Sequence, residues 1–178
     1  MLGLGGIGLN AIMAAKLSGA SRIIGIDIHQ GKFPLAKQLG CTDTAVANDP
    51  ELVETVRNLT LGGVDYAFEI SGAKPAMAIA TAVTRKGGEV ICVGLGAFED
   101  LYQYSHAALV SEEKAFRGSL MGSCVPERDI PRYTKLYLEG KLPVDRLKSG
   151  VMGFADLNAN LDALDRGEVV RQVLLPHG

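Results

Sequence analysis

Residues 3–27 read GLGGIGLNAIMAAKLSGASRIIGID. The first six, Gly3 to Gly8, fit the pattern G-x-G-x-x-G and run straight into an alanine-rich segment, residues 7–18. That segment has apolar positions at 7, 11, 12, 14 and 15 and closes at Gly19, which predicts a helix. Residues 22–28, RIIGIDI, predict a buried strand. In this pattern Gly3 permits a tight turn, Gly5 lets a pyrophosphate approach the backbone, and Gly8 lets the helix pack closely. The helix N-terminus adds free N–H groups and the positive end of its dipole. Asp27 closes the strand 19 residues after Gly8, where the fingerprint needs a carboxylate for a ribose diol. That charge also repels a 2′-phosphate, so the pattern favours NAD over NADP. The plainer reading of Asp27 is a cap or turn aspartate.

Outward from this stretch the same rhythm repeats. Helices are predicted over 32–39, with Pro34 in the first turn and Gly40 as the stop, and over 50–59, with Asp49 as N-cap and Pro50 first. Further helices are predicted over 75–85 and 129–139. Strands are predicted over 43–47, 64–70, 89–93 and 115–121, whereas 97–113 carry weak signals. Strand and helix alternating at this spacing predict an α/β fold, a doubly wound parallel sheet of Rossmann type. Beyond a linker at Lys141–Pro143, an amphipathic helix over 157–166 with Asp156 as N-cap and a strand over 169–175 form a tail. The expected division is 1–140, a dinucleotide-binding domain, and 141–178, a C-terminal segment.

Composition narrows the function. The 178 residues carry a net charge of −2, 47% hydrophobic and 21% charged residues, which excludes disorder as the main state. The near-neutral balance argues against nucleic acid as a partner. Neither an apolar run long enough to span a membrane nor a signal peptide is visible, so cytoplasm is the expected compartment. Cys41, Cys92 and Cys124 lie 51 and 32 residues apart, which is neither a disulfide framework nor a zinc cluster; they read as small buried hydrophobes. The sequence has no phosphate-loop lysine, HExxH or GxSxG. His29 and His106 are isolated, and His177 reads as a disordered terminus. Asp65 and Glu69 read as strand carboxylates with structural partners. Tyr133 is followed by Lys135 and Tyr137, so Tyr133 does not open a YxxxK dyad.

The stretches GLGGIGLNAI (3–12), ASRIIGIDIHQGKFPLAKQLG (20–40), GGVDYAFEISG (62–72), KGGEVICVG (86–94), EEKAFRGSLMGS (112–123) and GEVVRQVLL (167–175) together resemble the medium-chain, zinc-dependent alcohol dehydrogenase family. The resemblance implies that the backbone of Gly6 and Ile7 meets the pyrophosphate and that Asp27 and Lys32 hold the adenosine ribose. The plainer reading of Lys32 is a solvated helix lysine. Ile28 and Ile70 would flank the adenosine. Val93 and Leu95, with Gly94 between them, would meet the nicotinamide end, as would the backbone around Ser119 and Met121. Arg171 would reach the pyrophosphate from the tail, where the plainer reading is a surface arginine. The resemblance also implies a homodimer or tetramer formed through 108–121.

Two departures stand out. The family holds its catalytic zinc with cysteine and histidine in an N-terminal domain that would lie before Met1, and Cys41, Cys92 and Cys124 do not match those positions. No catalytic residue and no metal ligand is therefore assigned here. The expected role is the NAD-binding part of an alcohol dehydrogenase acting on an alcohol or aldehyde, inactive as this chain alone. The alternative is a non-catalytic dinucleotide-binding module. A zinc-independent, NADPH-using relative such as a quinone reductase is disfavoured by Asp27. Second, the first sheet strand is cut to Met1-Leu2-Gly3, which would leave backbone partners on both neighbours. The tail would likewise keep an apolar face with nothing to pack on.

Overall fold

The structure, a computed structural model, describes residues 1–176. The terminal histidine, His177, lies outside the described residues. Seven helices and seven strands are described, joined by short 3-10 turns. Five strands, β1 (Ile24–Asp27), β2 (Asp43–Val46), β3 (Val64–Glu69), β4 (Thr84–Cys92) and β5 (Ala115–Gly118), pair in parallel as β1–β2 and β3–β4–β5. Leu2 bridges both groups, pairing with Ile26 on one side and Glu69 on the other. The order is therefore β2-β1-Leu2-β3-β4-β5, and it reverses direction at Leu2, the switch point at which such sheets bind ligands.

Both faces are covered. The helices α3 (Leu52–Leu59) and α4 (Lys74–Val83) bury Leu52, Val56, Ala80 and Val83 against Leu2, Ile24, Ile26, Ala67 and Val90. On the other face α1 (Gly6–Leu17) and α2 (Phe33–Leu39) bury Leu9, Ile12, Met13 and Leu39 against Leu4, Ile23 and Cys41. All four residues of β1 are buried, as a central parallel strand requires. Leu147 of the tail joins the second cluster, with Leu142 and Val170 against it. The tail thus packs partly on this domain, and Leu142 of the expected linker takes part.

The short start of the chain fills one end of a central groove. Leu2 N–H donates to the Phe68 carbonyl, Ile70 N–H to that of Leu2, Ile26 N–H to that of Met1 and Gly3 N–H to that of Ile26, all within 2.8–2.9 Å. A cavity of about 790 Å³ lies between β1 and β3, lined by Ala11, Ala14, Ile24, Val64, Tyr66 and Phe68 among others. By the alternation of the ladder, the amides of Ile24, Tyr66 and Phe68 point into it.

Several boundaries differ from expectation. α3 starts at Leu52, because Asp49 uses its Oδ1 and its carbonyl to form a turn onto Glu51 and Leu52. α4 stops at Val83, and β4 begins at Thr84, where it bridges Val64 before a register shift. β5 ends at Gly118, and Met121–Ser123 form a 3-10 turn in place of the expected strand end. The weak stretch 97–113 contains α5 (His106–Glu112), capped by Ser105 Oγ accepting from Ala108 N–H. α6 (Pro126–Leu138) starts three residues before the expected helix, with Pro126 in its first turn. The tail holds β6 (Lys148–Met152), which sequence reasoning missed, paired with β7 (Arg171–Leu174), and α7 (Leu157–Asp165). Asp156 stands at the N-cap of α7 without a side-chain cap bond. Cys41 is buried, whereas Cys92 and Cys124 are half-buried, so only the first fully meets the expectation for these thiols. Among the described residues no helix is long and apolar enough to cross a membrane.

Candidate functional site

The glycine loop leaves the sheet at Leu2 and enters α1 with Gly5 as N-cap. Gly3 holds φ +95°, and a Cβ there would come 3.2 Å from Ser71 N. A Cβ at Gly8 would fall on the Gly3 carbonyl oxygen, so only glycine lets α1 start this close to its own loop. Gly5 is different: nothing lies within 4 Å of a Cβ placed on it, which leaves open space above the free N–H groups of the first turn. Ile7 is 60% exposed at the same rim. Arg171 lies across the loop, its Nη2 3.3 Å from a Cβ placed on Gly6. Its strand is pinned from below by Ser149 Oγ, which accepts from the backbone N–H of Val170 and Arg171.

Asp27, at the C-terminal end of β1, is 6% exposed. Its Oδ2 accepts from Leu4 N–H at 2.6 Å and its Oδ1 from His29 N–H at 2.8 Å. Lys32 Nζ lies 3.4 and 3.3 Å from the two oxygens, its side chain 15% exposed. Lys32 is therefore a partner of Asp27 and not a solvated helix lysine. Ile28 is exposed beside it, and His29 and Lys32 come within 3.3 and 3.4 Å of a Cβ placed on Gly167 of the tail, at a cavity of about 530 Å³ that all four residues line.

Glu69 ends β3 in a matching way. Its Oε1 accepts from Ser71 N–H, Ser71 Oγ and Gly72 N–H at 2.8, 2.6 and 2.9 Å. Its partners are structural, as expected. Sequence reasoning did not foresee that it holds the turn against which Gly3 lies. Ile70 reaches the loop, its Cδ1 3.9 Å from a Cβ placed on Gly8. Farther along the same rim, Val93 and Gly94 donate to the Glu69 carbonyl, and Gly94 passes so close to Gly72 that no side chain fits. Leu95 and Met121 are exposed, and Ser119 N–H donates to the Cys92 carbonyl at 2.9 Å.

The candidates from Gly3 to Ile70 and Arg171 thus converge on one crevice at the C-terminal ends of β1 and β3. Val93, Gly94, Leu95, Ser119 and Met121 extend it along β4 and β5. For a dinucleotide the fit is good: free helix N–H groups, an open cradle at Gly5, a cationic guanidinium and a carboxylate at one end. For zinc it is not. Among the described residues no three His, Cys, Asp or Glu side chains group closely enough to hold a metal.

This arrangement defines a doubly wound domain of the dinucleotide-binding class. The sequence matches the zinc-binding dehydrogenase family over residues 6–139, and the chain belongs to that family. It is 33% identical over 177 residues to alcohol dehydrogenase 2 of Oryza sativa subsp. japonica, covering 98% of this chain and 46% of the rice protein. The identity to alcohol dehydrogenase 2 of Zea mays is 32% over the same length. Among solved structures, an alcohol dehydrogenase zinc-binding domain protein from Burkholderia ambifaria superposes with TM-score 0.92 at 30% identity, covering 99% of this chain and 48% of that one. Benzyl alcohol dehydrogenase from Acinetobacter calcoaceticus gives 0.92 at 30%, covering 97% and 48%. The chain spans about half the length of these relatives.

Proposed function

We propose that the chain is the NAD-binding part of a zinc-type alcohol dehydrogenase, which converts an alcohol to an aldehyde or ketone. The observation that carries this reading is the convergence of the Gly3–Gly8 loop, Asp27 and Arg171 on one crevice at the switch point. NAD bound there supplies the hydride acceptor. The chain's own residues bind and orient it. The first-turn N–H groups around Gly6 and Ile7, with Arg171, neutralise the pyrophosphate. Asp27 and Lys32 take the ribose, and Ile28 and Ile70 flank the adenosine. Val93, Gly94 and Leu95, with the backbone of Ser119 and Met121, wall the nicotinamide end. In this reading the zinc ligands come from an N-terminal catalytic domain and not from these 178 residues, residues 1–140 are the dinucleotide-binding domain, and residues 141–178 form a segment that contacts the catalytic domain.

The same reading includes self-association through 108–121, supported by β5, an edge strand whose four residues are all exposed. It also includes a cytoplasmic setting, in which the three free thiols stay reduced. The test is titration of the purified chain with NADH and NADPH by fluorescence. NADH should bind at least tenfold more tightly, about 1.4 kcal/mol; equal or tighter binding of NADPH overturns the assignment. A second reading, a non-catalytic dinucleotide-binding module, is favoured by the lack of a metal-ligand group among the described residues. Alcohol-dependent NADH production by this chain alone would sink it.

A further inference from the structure

We propose that Asp27 is also the brace of the phosphate-binding loop, so that recognition of the pyrophosphate depends on this carboxylate even when no ribose hydroxyl is present. This goes beyond a ribose-binding role, and it rests on the dinucleotide reading above.

The geometry divides the carboxylate's capacity. Oδ2 is committed to Leu4 N–H at 2.6 Å, a short charge-assisted bond inside the glycine loop. Oδ1 is committed to His29 N–H at 2.8 Å, which closes the turn leaving β1. Lys32 holds the remaining faces of both oxygens from the longer distances of 3.3 and 3.4 Å. A ligand hydroxyl therefore gains access by taking the Lys32 seat, while the two backbone bonds stay in place. Leu4 is held from the other side as well. Its side chain is fully buried, and its δ carbons lie 3.2 and 3.3 Å from a Cβ placed on Gly25. The loop has a third support in the Ser71 turn, which Glu69 Oε1 holds and against which Gly3 lies. Between these supports the free N–H groups beyond Gly5 keep a fixed aim. Without Asp27, Leu4 N–H is a buried donor with no partner, and the loop must shift to reach water.

Charge and bracing predict opposite signs, which makes the proposal testable. Removing a negative charge beside a phosphate site should tighten anion binding; removing the brace should weaken it. The probe is 2′,3′-dideoxyadenosine diphosphate, which carries the adenine and the pyrophosphate but no ribose diol, titrated calorimetrically into the 178-residue chain and its Asp27→Ala variant beside ADP. The expected result is a loss of affinity for the dideoxy probe of about tenfold. Unchanged or improved affinity for it, with a loss confined to ADP, overturns the proposal. Hydrogen exchange on the unaltered chain is independent of whether the variant folds. Leu4 N–H should exchange as slowly as the interior amides of α1, and exchange as fast as Gly5 and Gly6 overturns the proposal. Binding of neither ADP nor NADH to the unaltered chain would instead refute the dinucleotide reading, and the Leu4 exchange rate would still decide the brace.

Discussion

A methyl group added at Gly8 meets the Gly3 carbonyl, whereas one added at Gly5 meets nothing within 4 Å. The two glycines of one motif should therefore fail in different ways. Gly8→Ala is expected to lower stability by about 1–3 kcal/mol, the usual cost of forcing extra volume into packed backbone. Gly5→Ala should cost under about 1 kcal/mol of stability, the scale of a poorer N-cap, and yet weaken NADH binding. Urea midpoints and NADH titrations on both variants check this pair. Asp129 makes a third residue-scale case. It accepts from Val125 N–H at the start of α6 and from the Arg128 guanidinium at 2.7 and 2.9 Å, and these partners, Arg128 first, hold its carboxyl down to about 2. The folded chain thus releases this proton more readily than the unfolded chain, whose carboxyl titrates near 3.8. The stability it contributes is complete above pH 4 and is lost as pH falls toward 2. Asp129→Asn should flatten that part of the acid-unfolding profile. The Leu4 bond of Asp27 was not legible in the sequence, because it joins residues 23 apart. The partners of Asp129 are local, but the expected helix began at Asp129 itself, so its role over the first turn of α6 went unread.

At the scale of elements, the groove between β1 and β3 carries the clearest consequence. Leu2 ties the two halves of the sheet together there, its N–H donating to the Phe68 carbonyl and its carbonyl accepting from Ile70 N–H. The elements read well from sequence share strong local signals: the glycine-to-Asp27 unit, the apolar strand β3 and the helix stops at Gly40 and Gly140. Those misread lack them. β6, KSGVM, gains its strand state from β7 some twenty residues away, and the start of β4 is set by its bridge to Val64. α5 has too short an apolar period to announce itself, and its Ser105 cap decides its start.

At the scale of the whole molecule, the sheet ends in β5, whose exposed residues include Phe116 beside Tyr104. An exposed edge strand is a template for pairing with another chain. In the self-association proposed above, Phe116→Lys should shift the chain toward monomer in sedimentation velocity, with no change in the far-UV spectrum; unchanged association, or an unaltered chain that is already monomeric, overturns that reading. The sequence by itself determined the fold class, the parallel alternation, the glycine loop and the acid that follows it. These are local patterns, in which the spacing of apolar side chains and the needs of a tight turn act within a few residues. Only the tertiary structure decided that Lys32 pairs with Asp27, that Arg171 crosses the loop from the far end of the chain, that the tail buries Leu147 in the α1–α2 core, and that Asp27 holds Leu4. All but the Lys32 pair, which spans five residues, join residues distant in sequence, and their approach is set by how the strands stack and where each crossover returns, which no local spacing encodes.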